Sequence, residues 1–224
     1  MQVQSAVVIG ASGLIGSNLL HLLLQNKQIS NVTALVRKPL QVKHSKLRCL
    51  VVDFNNIDDF KTKLGAAQLL FCCIGTTMKQ VGGNKDLYRS IDYHIPVTAA
   101  QLAKEAGFQH FCLVSSVGAD SMSSNFYLQL KGEVEQTLKQ INLPHLTLLQ
   151  PSLLLGNRSE KRLGEKMAQL LAPVFNLFLW GNWQKYKPIK AEKVAKAMLF
   201  AALNKHEKLA VWQYPQIVAA ANQA

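Results

Sequence analysis

Apolar residues in this chain are concentrated in short runs that are separated by longer amphipathic segments. Six runs are rich in valine, isoleucine, leucine and phenylalanine: SAVVIG (5–10), NVTALVR (31–37), LRCLVVD (47–53), AQLLFCCIG (67–75), HFCLVSS (110–116) and HLTLLQP (145–151). Runs of this length that are apolar on both faces are typical of strands buried inside a parallel sheet. We therefore predict six parallel strands.

Most of the segments between these runs have helical periodicity. GLIGSNLLHLLLQN (13–26) and DLYRSIDYHIPVTAAQLAKEAG (86–107) repeat their apolar residues at spacings of three and four. Pro96 lies inside the second segment, so we expect a kink or a break near Ile95. Strands that alternate with helices indicate an α/β fold with a doubly wound parallel sheet.

Composition and charge narrow the class of protein. Of the 224 residues, 49% are hydrophobic and 17% are charged, which is a globular balance and argues against a disordered chain. The net charge of +12 raises the question of nucleic acid or an anionic membrane. The basic residues are scattered, with no run of five and no interleaving with aromatics, so we expect a generally basic surface that favours anionic ligands, without a strong signal for nucleic-acid binding.

The cysteines and the N-terminal sequence indicate the cellular compartment in which the protein is expected. Cys49, Cys72, Cys73 and Cys112 lie in strand-like runs and not at metal-ligand spacing, which predicts reduced thiols, no metal site and a cytoplasmic location. We see no charged leader before an apolar run, so no secretory signal is expected. The apolar run 170–180 is too short to span a bilayer, and we expect no transmembrane segment.

Three glycines follow the first predicted strand at a spacing of three. In VVIGASGLIG, Gly10 permits a tight turn, Gly13 lets backbone approach a pyrophosphate, and Gly16 lets the next helix pack closely on the strand. The N-terminus of that helix offers N–H groups and a positive dipole end to phosphates. We predict a dinucleotide site here, formed by Gly10, Ser12, Gly13, Leu14, Ile15 and Gly16.

The end of the second strand indicates which dinucleotide is preferred. A site for NAD needs a carboxylate there for the ribose 2′-hydroxyl, whereas this chain has Arg37 and Lys38. A guanidinium can pair with a 2′-phosphate, so we predict NADP(H) in preference to NAD; a solvated charge at a strand end is the alternative. Further cofactor contacts are expected at the ends of the third and fourth strands, from Asp53, Phe54, Ile74, Gly75 and Thr76.

A tyrosine and a lysine lie four residues apart in the helical segment NFYLQLKGEVE (125–135). This spacing puts Tyr127 and Lys131 on one face of the helix. A nearby ammonium favours the phenolate, so the phenol can act as a general acid toward a carbonyl oxygen while a nicotinamide delivers hydride. Ser115 and Ser116, at the end of the fifth strand, are expected at the same crevice.

The order of these features resembles the short-chain dehydrogenase/reductase superfamily. The resemblance runs from about Ala6 to Gly156, and SSVGADSMSSNFYLQLKGEVE is most similar to the Tat-interactive-protein group of atypical members. It implies a Rossmann fold, with Tyr127 as proton donor and Lys131 holding the nicotinamide ribose. It also implies Ser116, or alternatively Ser115, at the substrate carbonyl, and Pro151 and Leu153 beside the carboxamide. Gln150 departs from the arginine that many relatives have before this proline.

The rhythm changes after Pro151. Residues 156–178 predict a loop and one or two helices, 190–204 a further helix, and LAVWQYP (209–215) a short last strand. We expect one domain over 1–224, with a cofactor-binding core at 1–156 and a small substrate-side extension at 157–224. The apolar run 170–180 and Trp183 could line an apolar substrate pocket, and ordinary core or subunit packing would explain them equally well.

Three functions remain open at the level of sequence. The first is an NADPH-dependent reductase that acts on a small carbonyl compound or a similar apolar substrate. The second is an NADP(H)-sensing regulatory or protein-binding module without turnover, which would not need the serine, tyrosine and lysine. The third is a nucleotide-sugar epimerase or dehydratase, which the short extension after Gly156 disfavours. A homodimer formed through surface helices is compatible with this fold.

Overall fold

The computed structural model describes residues 3–156, 181–204 and 207–224. Its main sheet has seven parallel strands in the order β3-β2-β1-β4-β5-β6-β9. The strands are β1 (Gln4–Ile9), β2 (Ile29–Val36), β3 (Leu47–Val51), β4 (Leu69–Cys72), β5 (His110–Val114), β6 (His145–Leu149) and β9 (Leu209–Trp212). The predicted doubly wound α/β fold is confirmed, together with the six predicted strands and the short last one.

Seven α-helices are described, and they cover both faces of the sheet. They are α1 (Leu14–Gln25), α2 (Ile57–Leu64), α3 (Lys85–Arg89), α4 (Ile95–Glu105), α5 (Phe126–Ile141), α6 (Ala191–Leu203) and α7 (Tyr214–Ala221). A π-helical turn at Ser90–His94 joins α3 to α4, and a 3₁₀ helix occupies Gly181–Tyr186. The break predicted near Ile95 therefore takes the form of a π turn that ends where α4 begins.

The hydrophobic core has two halves, one on each face of the sheet. Along β1, Ala6 and Val8 pack with α1, α6 and α7, whereas Val7 and Ile9 pack with α2, α4 and α5. Successive side chains of a strand point to opposite faces, so a strand covered on both sides must be apolar throughout. This explains why the runs seen in the sequence are continuous and not alternating.

Two parts of the C-terminal third were not predicted. The helix α7 follows the last strand, and β7 (Leu154–Leu155) pairs in parallel with β8 (Ile189–Lys190) in a separate small sheet. The helix predicted at 190–204 is present as α6. The helices predicted within 157–178 and the apolar run 170–180 lie outside the described residues.

Candidate active site at the carboxyl edge of the sheet

The strand order places a crevice between β1 and β4. The chain moves from β1 through β2 to β3 on one side, then returns to β4 and continues outward on the other side. Ligands of open α/β sheets bind at the carboxyl ends of the strands where the direction of winding changes. Gly10 follows β1, and Cys73 and Ile74 follow β4, so both of the segments predicted to hold the cofactor border this crevice.

The glycine turn is closely packed at two of its three glycines. Gly10 has φ of 83°, and a Cβ built there would lie 2.7 Å from the Cys73 carbonyl carbon. A Cβ on Gly16 would lie 2.1 Å from the Gly10 carbonyl oxygen. The first glycine therefore makes the turn beside β4, and the third lets α1 pack on that turn, as the sequence predicted.

The N-terminus of α1 fits a dinucleotide phosphate. Gly13 is the N-cap residue and offers no side chain, so the first N–H groups of the helix have no side-chain acceptor. Ser12 and Gly13 are exposed at this end, whereas Ile15 and Gly16 are buried in the core and Leu14 is half-buried, next to Gly156. Because only Ser12 and Gly13 are open to solvent here, Ile15 and Gly16 could take part through backbone atoms alone.

The residues predicted to hold the adenosine end lie at the adjacent strand ends. Arg37 and Lys38 directly follow β2 and are exposed. Asp53 is exposed after β3, where its carboxylate accepts a hydrogen bond from the Asn55 N–H at 3.0 Å. Phe54 is half-buried, with its ring edge-on to Phe60 at 4.9 Å. This half of the predicted site therefore has cationic side chains at the end of β2, and a carboxylate only one strand further out.

Tyr127 and Lys131 lie on one face of α5, as predicted. Asn125 caps this helix, since its side chain accepts hydrogen bonds from the N–H groups of Tyr127 and Leu128. The Lys131 Nζ lies 5.9 Å from the centre of the Tyr127 ring. Tyr127 is 38% exposed and Lys131 only 5%, so the tyrosine is accessible to solvent while the ammonium beside it is buried.

The buried ammonium of Lys131 is paired with Asp92. The Lys131 Nζ lies 2.9 Å from the Asp92 Oδ2, and Asp92 is 1% exposed. The other carboxylate oxygen accepts a hydrogen bond of 2.8 Å from the Thr76 N–H. Burial lowers the pKa of Lys131, but attraction to Asp92 and then to Tyr127 outweighs this, and the pKa lies above the ordinary lysine value. Lys131 is therefore a cation at neutral pH.

Asp92 is the residue at this site that the sequence analysis missed. It lies in the π turn, next to the segment after β4 that contains the predicted residues Ile74, Gly75 and Thr76. Such turns are rare and occur often at functional sites. The signal in the sequence was a carboxylate inside an amphipathic segment shortly before Pro96, but its partner Lys131 is distant along the chain.

Ser115 and Ser116 have different surroundings. The Ser115 hydroxyl is buried and donates a hydrogen bond of 2.5 Å to the Glu135 Oε1 on α5. Ser116 is half-buried, and its hydroxyl donates only a long hydrogen bond of 3.3 Å to the Val117 carbonyl. The two candidates are thus separated by geometry, because Ser115 is committed to a buried carboxylate.

The loop between Ser116 and Tyr127 docks on α5 at Gly132. A Cβ on Gly132 would lie 2.1 Å from the Ser121 backbone nitrogen. The Asp120 N–H donates to the Leu128 carbonyl at 3.1 Å, and the Gln136 side chain donates to the Ser121 hydroxyl at 2.6 Å. The absence of a side chain at Gly132 therefore fixes this loop against the helix that carries Tyr127.

Pro151 and Leu153 join the core to the extension. The Pro151 carbonyl accepts a hydrogen bond from the Val117 N–H, and the Leu153 carbonyl accepts one from the Ile189 N–H. The Ser152 hydroxyl donates to the Lys187 carbonyl. Trp183 is 64% exposed in the 3₁₀ helix that precedes these contacts. The segment from 181 onward is thus attached to the stretch predicted to lie beside the carboxamide.

The described part of the chain offers no support for metal binding, for a membrane span or for a reactive thiol among its buried cysteines. Within the described ranges, no three histidine, cysteine or acidic side chains are grouped so that they could hold a metal ion, and no helix could cross a membrane. The four cysteines are free thiols. Burial raises the pKa of Cys72 to about 12 and those of Cys73 and Cys112 well above the ordinary value, so these three are poor nucleophiles.

A doubly wound sheet with a glycine turn at its switch point and a tyrosine–lysine pair beside it defines a class, the dinucleotide-binding proteins of the short-chain dehydrogenase/reductase type. Residues 10–171 match the family described as NAD(P)H-binding. The chain belongs to this family, in the Tat-interactive-protein-like group of the atypical short-chain dehydrogenase/reductase proteins.

Individual proteins support this placement. The chain is 35% identical over 202 residues to Protein HTATIP2 of Rattus norvegicus, a match that covers 89% of this chain and 81% of that protein. It is 33% identical over 205 residues to Protein FMP52, mitochondrial, of Meyerozyma guilliermondii, covering 88% and 85% respectively. The solved structure of MoeE5 in complex with UDP-glucose and NAD has a TM-score of 0.70 at 17% identity, over 98% of this chain and 81% of that one. At that identity the likeness shows the fold alone.

Proposed function

We propose that the protein is an NADPH-dependent oxidoreductase that transfers hydride to a small carbonyl compound or a similar apolar substrate, with Tyr127 as the proton donor. The observation that carries this proposal is the accessible phenol of Tyr127 beside a buried ammonium, Lys131, that Asp92 holds in place. An exposed tyrosine does not need a buried cation beside it in order to be stable, so the pairing with Lys131 favours a chemical role. A neighbouring cation favours the phenolate and so makes proton release easier.

Each residue of the site has its own role in the proposed reaction. Lys131 stays charged, and it has three N–H donors, one of which Asp92 accepts, so others can hold a ribose hydroxyl. The Tyr127 hydroxyl gives its proton to the substrate oxygen, and the Ser116 hydroxyl orients that oxygen. We favour Ser116 over Ser115 because Ser115 is bonded to Glu135. A bound nicotinamide would supply the hydride.

The proposed preference for NADPH rests on Arg37 and Lys38. They are exposed directly after β2, where a 2′-phosphate would need cations and a carboxylate would repel it. Titration calorimetry with NADPH and with NADH tests this on the wild type and on Arg37→Ala. We expect the variant to lose at least about tenfold in NADPH affinity, or roughly 1.4 kcal/mol, and to bind NADH unchanged. Arg48→Ala is the control, since it removes the same charge from an exposed position on β3; an equal loss in both variants would contradict the proposal.

The role of Tyr127 is tested by following consumption of NADPH with a panel of small carbonyl compounds. We expect Tyr127→Phe to lower kcat by about 10² to 10⁴-fold, because a general acid contributes that much, while NADPH binding is unchanged. Tyr214→Phe, which removes the hydroxyl of a tyrosine on α7, should keep the wild-type rate. A Tyr127→Phe variant that is as fast as the wild type would overturn the assignment.

Two further outcomes would identify the other candidate functions. NADPH binding without turnover of any carbonyl would favour the cofactor-sensing module. Tightly retained NAD that does not exchange would favour a nucleotide-sugar enzyme. The structure of MoeE5 was solved with a nucleotide sugar, UDP-glucose, and with NAD. We also propose that the protein is cytoplasmic and forms a homodimer. FMP52 relatives are named mitochondrial, so cell fractionation is the test of location.

A further inference from the structure

A buried chain of side-chain hydrogen bonds links α5 to the last helix, α7. It starts at Glu135, which is 4% exposed and accepts hydrogen bonds from the Ser115 hydroxyl at 2.5 Å and from the Gln150 side-chain amide at 2.9 and 3.0 Å. The Gln150 carbonyl oxygen in turn accepts from the Gln213 amide at 2.9 Å. Gln213 is the N-cap residue of α7, and its side chain accepts the N–H of Gln216.

The carboxylate of Glu135 sets the direction of every bond in this chain. An ionised carboxylate only accepts, so Gln150 must turn its amide nitrogen toward Glu135 and its oxygen toward Gln213. Gln213 must then turn its nitrogen toward Gln150, which leaves its oxygen to cap α7. Reversing any one amide would place two donors or two acceptors together in a buried site, which is costly.

Two residues of this chain, Ser115 and Gln150, adjoin residues of the proposed site. Ser115 precedes Ser116 at the end of β5, and Gln150 precedes Pro151 at the end of β6. Glu135 lies four residues after Lys131, which lies four after Tyr127, so all three share one face of α5. The only described cation near Glu135 is Lys139, at 3.8 Å and partly exposed, and the carboxylate is therefore satisfied mainly by neutral donors.

We propose that Glu135 and Gln150 are positioning residues of the active site, a role that rests on the proposed function. By joining α5 to the ends of β5 and β6, they set the distance between the Tyr127 phenol, on the helix, and the Ser116 hydroxyl, on the strand end. Both hydroxyls must meet one substrate oxygen, and small errors of placement are costly in catalysis. The bonds to Gln213 extend this constraint to α7.

The test exchanges the two side chains. Glu135→Gln alone sets two amide nitrogens against each other, and Gln150→Glu alone sets two carboxylates against each other. The double variant restores every bond, because Gln at 135 can donate to Glu at 150 and accept from Ser115, while Glu at 150 accepts from Gln213. We expect each single variant to lose at least tenfold in kcat with NADPH affinity within threefold of wild type, and the double variant to return to within threefold.

Glu105→Gln is the control, since it removes a carboxylate from the exposed surface of α4. We expect it to keep the wild-type kcat. A Glu135→Gln variant with wild-type kcat would overturn the positioning role. So would a double variant no faster than the slower single variant, because its hydrogen bonds are matched again and its rate should return with them.

A second measurement separates this inference from the proposed function. NMR of the protein with ¹³C-labelled tyrosine rings reports the surroundings of Tyr127, whose signal is assigned with Tyr127→Phe. We expect the Tyr127 signal to shift in Glu135→Gln and to return in the double variant. If the wild type reduces no carbonyl, the proposed function fails, and this signal still decides: an unchanged Tyr127 signal in Glu135→Gln would overturn the inference.

Discussion

The glycine turn after β1 and the helix α5 border the same crevice, but they build their parts of the site in opposite ways. Gly10 and Gly16 act through the absence of side chains, because a Cβ at either position would meet backbone at less than 3 Å. Helix α5 acts through the polar ends of Tyr127, Lys131 and Glu135, two of which are buried and held by partners elsewhere in the chain. Substitutions in the turn are therefore limited by the space available, and substitutions at these polar positions of α5 are limited by charge.

This difference predicts that the two regions fail for different reasons. Adding one carbon to the turn should disturb its packing without changing any charge. Neutralising Lys131 on α5 should leave the buried Asp92 without its counter-charge, although hardly any space is altered. Since burying an unpaired charge costs more than a modest overpacking, the largest losses of stability are expected on the side of the helix.

Replacing the lysine should have the largest effect. Lys131→Met leaves Asp92 buried without its ammonium, and we expect the free energy of unfolding in urea to fall by about 3–5 kcal/mol. The double variant with Asp92→Asn removes both charges, keeps an acceptor for the Thr76 N–H, and should recover a substantial part of the loss. If single and double variants were equally unstable, the loss would come from packing and the charge argument would be wrong.

The same pair predicts a pH dependence. The pKa of Lys131 is raised, so its contribution is fully present below the unfolded-state value, about 10.4, and is lost only as the pH rises through the higher folded-state value. The difference in unfolding free energy between wild type and the double variant Lys131→Met with Asp92→Asn, which has neither charge, should therefore stay constant from about pH 7 to about pH 9. A steady decline over this interval would contradict the raised pKa.

An added carbon in the turn should have an intermediate effect. In Gly16→Ala the new Cβ would lie 2.1 Å from the Gly10 oxygen, so α1 must move away from the turn. We expect a loss of about 1–3 kcal/mol in urea unfolding, together with at least tenfold weaker NADPH binding. Ser17→Ala, at the next and exposed position of α1, should change neither quantity.

The smallest loss of stability is expected at Gly132, a position on α5 that is limited by space and not by charge. In Gly132→Ala the new Cβ would meet the backbone of both Asp120 and Ser121, so this loop must shift, while alanine gains up to about 1 kcal/mol of helix propensity. We expect a net loss of about 0.5–2 kcal/mol in urea unfolding, because the gain in propensity offsets only part of the cost of the backbone clash. The rate with the carbonyl panel should still fall, because the loop that joins Ser116 to Tyr127 moves. Unchanged kcat would show that the docking of this loop is unimportant for turnover.

The two regions also differ in how far the sequence predicted them. The glycine turn is local: its three glycines, the strand before it and the helix after it are contiguous, so their roles could be derived from spacing. The Tyr127 and Lys131 pair could be placed on one face for the same reason. Asp92 and Gln150 could not be assigned to their partners, because pairing with Lys131 and Glu135 depends on how the π turn, α5 and the end of β6 pack together.

The choice between Ser115 and Ser116 shows the same limit. Adjacent residues at a strand end point to opposite sides, and the sequence does not say which side faces the crevice. It was the position of Glu135 across from the strand that distinguished them. The helix α7 was missed because the apolar tail after Trp212 gave no clear signal of a second element.

The π turn at Ser90–His94 has a consequence for insertions and deletions. An α-helix advances roughly 100° for each residue, so the wider turn leaves the helix after it out of phase with the helix before it. Tyr88, before the turn, packs beside Val81 and Leu130, whereas Ala99 and Ala103, after it, pack in the core on the sheet. Removing one residue from the turn would restore a regular helix and rotate one of these apolar faces toward water. The position of Asp92 therefore depends on the packing of two surfaces, one before the turn and one after it. We expect a change in chain length here to reduce stability more than a change of residue type at any exposed position of the same turn.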